Sequence, residues 1–125
     1  MTLDVLPGDL AVCRLNPDAP LAAWMGEGAI AGALRTDAEL SVVCATEAVP
    51  PGVRVERGWR ALRLRGPIPF DQTGVLAALL APLADAEVPI FALSTYDTDV
   101  ILIPGPRLAD AIGALRATGV GVEGA

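Results

Sequence analysis

The chain has 125 residues, a formal net charge of −6, no histidine, no lysine and nine arginines. It is 53% hydrophobic but only 4% aromatic, so it can build a core, and Ala, Val, Leu and Ile must fill it. This composition excludes a disordered chain, argues against phosphate-backbone binding, which needs clustered basic residues, and removes histidine-based catalysis and the commonest metal ligand.

The two cysteines, Cys13 and Cys44, each lie in an apolar, strand-like run (LAVCRL and LSVVCA) and are expected to be buried thiols. With no CxxC, no zinc site and no cofactor are expected. A catalytic triad cannot be assembled, and carboxylates without a paired nucleophile make a poor enzyme, so the chain is read as non-catalytic. No apolar run reaches the ~18–20 residues of a membrane helix. The opening MTLDVLPGDL carries no basic stretch of the kind that begins a secretory signal. The expected setting is therefore cytoplasmic, with neither membrane nor nucleic acid as partner.

In chain order, residues 9–15 predict a strand, and Asn16-Pro17-Asp18-Ala19-Pro20 a turn. A short helical piece over 21–25 is stopped by Gly26 and Gly28. Strands follow at 29–34 and 39–45, joined by a polar corner. Val49-Pro50-Pro51-Gly52 fits neither helix nor central strand, and 53–56 is a short strand.

Residues 59–65 alternate and predict another strand, its Arg60, Arg63 and Arg65 reading as an exposed face that discourages edge pairing. Asp71 is the expected N-cap of a helix reaching about Asp85, with Val75, Leu76, Leu79, Leu80 and Leu83 at helical spacing and Pro82 kinking it or loosening its last turn. Apolar strands at 88–95 and 99–103, a helix at 106–117 capped by Gly119, and a strand at 120–123 complete the chain.

The second half is thus strand–helix–strand–strand–helix–strand, the ferredoxin-like order, with an antiparallel sheet and both helices on one face. The first half repeats that order in degraded form. The fold class is α+β, as two tandem βαββαβ modules: a degenerate one over 1–57 and a fuller one over 58–125.

The functional signal lies in residues 67–104. Gly74 opens a helix, whose N-terminal N–H groups and dipole favour an anion. A polar corner holding Asp97 and Asp99 follows two elements later. Asp97 reads as a turn residue; Asp99, which leads into an apolar strand, reads as facing a pocket. Thr95 and Tyr96 serve either as pocket wall or simply as β-prone strand residues. A helix N-terminus beside a carboxylate corner suits a small zwitterion.

The strings TGVLAALLAPLA (Thr73–Ala84) and IFALSTYDTD (Ile90–Asp99), in that order, resemble the small tandem ACT-domain proteins and are similar to the ACT modules of the CASTOR arginine sensors. The resemblance is close over about 58–117 and looser before that. It implies an amino acid bound between two ACT units, and a signal passed to an attached or separately encoded enzyme or regulator.

By position, it assigns the ligand-binding turn to Thr73, Gly74, Val75 and Leu76, preceded by Gln72. It assigns the corner to Ser94, Thr95 and Tyr96, with Asp99 facing the ligand's cationic group. Pro89 and Ile90 are assigned as contributions from the partner unit. Gln72 stands where the arginine sensors carry a glutamate, which weakens the case for arginine itself. A homodimer is expected, because an open sheet edge invites pairing. The alternative is a ligand-free ACT-like scaffold that only dimerises.

Overall fold

The computed structural model describes residues 1–124. Its elements are β1 (Thr2–Val5), β2 (Leu10–Leu15), β3 (Gly32–Arg35), β4 (Leu40–Ala45), β5 (Arg54–Leu64), α1 (Val75–Asp85), β6 (Phe91–Ser94), β7 (Asp99–Pro104), α2 (Leu108–Ala117) and β8 (Gly121–Glu123). Short 3₁₀ turns occupy Ala23–Gly26, Thr46–Ala48 and Gly105–Arg107. Among the described residues no helix is long and apolar enough to cross a membrane. The chain divides into two units, Pro7–Trp59 and a discontinuous unit made of Met1–Leu6 with the chain from Arg60 onward.

In the Pro7–Trp59 unit the strands follow the order β3, β4, β2, β5, each pair antiparallel. Alternate residues of β2 and β4 (Ala11, Cys13, Leu40, Val42, Cys44) point to one buried cluster, closed by Met25. The helical piece expected at 21–25 is only the 3₁₀ turn Ala23–Gly26. Five residues between prolines and glycines are too few to nucleate an α-helix. Arg35 donates from its guanidinium to the carbonyls of Pro17 and Ala19, which holds the preceding turn in place.

The strands expected separately at 53–56 and 59–65 are one continuous β5. Val12 pairs with Glu56 but Leu10 with Trp59, so β5 carries an extra residue there. Gly58, at φ +83°, supplies the positive φ that such a bulge uses. The bulge changes which parity faces inward. Val53 and Val55 pack on the first unit's core, whereas Leu62 and Leu64 pack on the second unit's core.

In the discontinuous unit the expected ferredoxin-like succession β5-α1-β6-β7-α2-β8 is present. One strand is added to it. β1 lies between β5 and β8, antiparallel to the first and parallel to the second, so the strand order is β6, β7, β5, β1, β8. The four residues of β1 give too short a pattern to read as a strand from sequence, yet Leu3 is fully buried there.

Arg65 secures the addition. Its guanidinium grips Asp4 with two bonds of 2.9 and 2.7 Å and Glu123 with one of 2.7 Å, so a cation just past the end of β5 ties β1 and β8 together. This bonding holds the Asp4 carboxyl below its ordinary pKa. β5 is an interior strand of the order, flanked by β7 and β1, so its arginines do not guard an edge.

Leu79 and Leu83 of α1, Ala111, Ile112 and Leu115 of α2, and Ile101 and Ile103 of β7 close one core with Leu3, Leu62 and Leu64. Each fully buried leucine contributes about 1.5–3 kcal/mol of apolar transfer. α1 begins later than the sequence suggested. Its N-cap is Gly74 at φ +79°, not Asp71, because a left-handed residue cannot lie inside a helix. The Gln72 N–H turns back to the Pro69 carbonyl instead.

Pro82 is accommodated inside α1, which ends in a wrap where the Val88 N–H reaches the Leu83 carbonyl and the Glu87 N–H the Ala84 carbonyl. α2 ends in the same wrap around Gly119, where the Val120 N–H reaches the Leu115 carbonyl.

Candidate ligand cleft

Two pieces of the discontinuous unit face each other across a cleft of ≈ 310 Å³. On one side are the loop leading from β5 and the first turn of α1, contributing Ile68, Pro69, Phe70, Gln72, Gly74, Val75, Leu76 and Ala77. On the other is the β6–β7 corner, contributing Ser94, Thr95, Tyr96, Thr98 and Asp99.

The corner is rigid for identifiable reasons. Ser94 and Asp99 are paired residues at the end of the β6–β7 ladder. The Thr95 N–H donates to the Thr98 carbonyl at 2.7 Å, and the Thr98 N–H returns to Thr95 Oγ1 at 3.1 Å. Tyr96 and Asp97 are left as the central residues of the turn. The Thr98 hydroxyl donates to the Leu64 carbonyl at 2.6 Å, which fastens the corner to β5. The Ser94 hydroxyl donates to Asp99 Oδ1 at 2.7 Å and so orients that carboxylate.

The facing loop approaches the corner closely. The Ile68 N–H donates to the Asp97 carbonyl at 2.6 Å. Gly66 permits this, since a Cβ there would stand 2.9 Å from the Asp97 carbonyl oxygen and 3.2 Å from the Thr98 Cβ. Phe70 and Tyr96 meet edge to face with ring centroids 4.7 Å apart, although each remains highly exposed, at 74% and 79%.

Gly74 offers no side chain to cap α1, and the first acceptor–donor pair of the helix runs from the Ala78 N–H to the Gly74 carbonyl. The N–H groups of Val75, Leu76 and Ala77 are therefore the first-turn donors that a helix cannot satisfy internally. They concentrate the positive end of the helix dipole at the cleft, where an anionic group is favoured.

Of the residues singled out from the sequence, Gln72, Gly74, Val75, Leu76, Thr95, Tyr96 and Asp99 line this one cleft. Thr73 lies between lining residues without itself being part of the wall. Pro89 and Ile90 lie elsewhere: Pro89 is exposed, and Ile90 packs against the core beneath α1 and α2. The sequence reading missed Ala77 and Thr98, and also Ile68, Pro69 and Phe70. The available signal for the last three was Gly66 followed by a proline-bracketed apolar loop, PIPF, ahead of the helix.

A wider hollow of ≈ 550 Å³ in the Pro7–Trp59 unit is lined by Arg14, Asp18 and Arg54 among others. It contains neither a helix end nor a hydrogen-bonded carboxylate corner.

An ACT-domain family model matches residues 54–117, which contain the whole cleft. The chain belongs to the ACT-domain family. A second model, described as an N-terminal domain, matches residues 8–52 of this ACT protein. The cytosolic arginine sensor for mTORC1 subunit 1 of Bos taurus is 35% identical over 59 residues, and the human protein of that name is 34% identical over the same length. That match covers 46% of this chain but only 18% of the sensor.

Among solved structures, protein Atu0741 of Agrobacterium tumefaciens superposes with a TM-score of 0.91 at 33% identity, covering 97% of this chain and 90% of that one. The regulatory subunit of aspartate kinase from Thermus thermophilus superposes with a TM-score of 0.63 at 13% identity, covering 93% of each chain, and so shares the fold.

Proposed function

We propose that this ACT protein is a non-catalytic regulatory module that binds an amino acid, with the ligand held in the cleft between the α1 N-terminus and the β6–β7 corner. One observation carries the reading. Unpaired first-turn N–H groups and a hydrogen-bonded carboxylate, Asp99, line the same 310 Å³ space. The ligand carboxylate would take the N–H groups of Val75, Leu76 and Ala77, and its ammonium would take Asp99. Gln72, Thr95 and Tyr96 would complete the rim.

The relationship to a protein named as an arginine sensor supports a sensing role. That protein is named cytosolic, and a cytoplasmic setting is part of the proposal.

A homodimer belongs to the proposal as well. β3 ends its strand order and is exposed along its whole length, with Leu34 69% exposed, which leaves it open to pairing with a second copy. Ligand binding would act by favouring one subunit arrangement over another through differential affinity. The signal would pass to a separately encoded enzyme or regulator. Pro89 and Ile90 have no part in the cleft of a single chain, so any role for them would require the second copy.

The test is a thermal-shift screen of the purified protein against the twenty amino acids at millimolar concentration. Ligand at about a hundred times its Kd adds roughly 2.7 kcal/mol of stability and raises Tm by several degrees. Asp99→Asn should abolish that rise without unfolding the protein. A flat screen would refute the sensor reading and favour the ligand-free scaffold.

A further inference from the structure

We infer that the cleft is built for an amino acid with an uncharged, apolar or aromatic side chain, rather than a cationic or acidic one. The inference rests on the amino-acid reading above and narrows it by counting charges. Among the residues lining the cleft, Asp99 is the single carboxylate and there is no arginine. A bound zwitterion consumes what the cleft offers: its carboxylate takes the first-turn N–H groups, and its ammonium takes Asp99. No countercharge remains on the lining side chains for a third ionised group.

A guanidinium or ammonium on the ligand's side chain would then meet only the neutral amide of Gln72 in place of a countercharge. An acidic side chain would share the cleft with Asp99, a like charge. Both arrangements cost free energy that an uncharged side chain does not incur. The neighbouring acids do not change the count: Asp71 and Asp97 are both exposed and both outside the lining.

Three of the remaining polar side chains are already committed. The Ser94 hydroxyl serves Asp99, the Thr95 hydroxyl donates to the Thr98 carbonyl at 3.0 Å, and the Thr98 hydroxyl serves Leu64. This leaves few side-chain partners for a polar ligand. The apolar part of the wall is Ile68, Pro69, Phe70, Val75 and Leu76, with the ring of Tyr96.

Phe70 and Tyr96 add a second line of support. The chain has only five aromatic residues, and these two are placed together in solvent at the cleft. Exposed aromatic surface in such a pair contributes nothing to the core, but it becomes stabilising when an apolar side chain covers it. A ligand whose side chain lies along these rings would supply that cover.

The experiment is calorimetric titration of the full chain with leucine, isoleucine, methionine and phenylalanine, against arginine, lysine, aspartate, glutamate and glycine. The expected result is binding of the first group tighter than the second by about tenfold or more, a difference of roughly 1.4 kcal/mol. Phe70→Ser, at an exposed position, should narrow the gap between leucine and glycine. Gln72→Glu should tighten arginine and lysine relative to leucine by supplying the missing carboxylate.

If arginine or glutamate binds as tightly as leucine, the inference is overturned while the amino-acid reading stands. Glycine binding as tightly as leucine would likewise overturn it, by removing the role of the apolar wall. If none of the amino acids binds, both fail together.

Discussion

Leu3 is the residue on which the addition of β1 can be judged. It lies near the start of the sequence, yet it is 0% exposed, pairs with Leu64 on one side and Val122 on the other, and belongs to the core under α1 and α2. Leu3→Ala removes about 1.5–3 kcal/mol of apolar transfer. It also leaves a cavity between strands that are already tied by the Arg65 fork and so relax little, which places the total near 2–5 kcal/mol. At about 4 °C per kcal/mol, a loss of roughly 3 kcal/mol lowers Tm by about 12 °C.

The location of the damage is more telling than its size. Native-state hydrogen exchange followed by NMR should show the largest loss of protection in β5 after Arg60, in β7, β8 and both helices, with a smaller loss in β2 and β4. A cost below about 1 kcal/mol, or a loss of protection confined to Pro7–Trp59, would refute the assignment of β1 to the discontinuous unit.

Three further outcomes follow from named contacts. Gly66→Ala places a Cβ 2.9 Å from the Asp97 carbonyl, so the loop must lift from the corner; a destabilisation of about 1–3 kcal/mol and loss of the Phe70–Tyr96 ring contacts in NOE spectra are expected, and an unchanged aromatic spectrum would count against it. Glu87 holds φ +58° at the end of α1, where α2 uses Gly119 at φ +88°; Glu87→Gly should stabilise by about 0.5–1 kcal/mol in urea denaturation and Gly119→Ala should destabilise by at least as much. The Asp4 carboxyl is held below its ordinary pKa by Arg65, so its contribution is present above the unfolded carboxylate pKa and is lost as pH falls through the folded value; the stability difference between wild type and Asp4→Asn should therefore shrink on acidification, and a difference that stays flat with pH would contradict the linkage.

The sequence was most legible where a pattern ran long enough to repeat. The leucines of α1 announced a helix by their spacing, and the apolar runs of β4 and β7 announced strands. Gly119 marked the end of α2, because an αL residue there is chemically specific. Boundaries were lost where one special residue overrode the pattern. Gly74 moved the start of α1 from Asp71, and Gly58 turned an apparent break into a bulge within β5. β1 was invisible because two inward residues cannot display a period, and its place depends on Arg65, far away in sequence.

Within the cleft, Gly74 and Asp99 were readable because a helix mouth and a strand entrance are local features. Ile68, Pro69 and Phe70 were not, since their position depends on a missing Cβ at Gly66 and on a carbonyl across the corner.

The path of the chain between β1 and β5 has a consequence for engineering. Val5 pairs with Leu62, and the Leu6 N–H donates to the Ala61 carbonyl at 2.9 Å. The two strands are thus the arms of a hairpin whose loop is the whole Pro7–Trp59 unit. Antiparallel neighbours of this kind are ordinarily joined by two residues such as Asn-Gly. The intervening unit is therefore topologically an insert. Excising it and closing the hairpin with a short turn would keep every strand pairing of the remaining unit and both walls of the cleft, so the half that carries the cleft could be prepared as a continuous miniprotein.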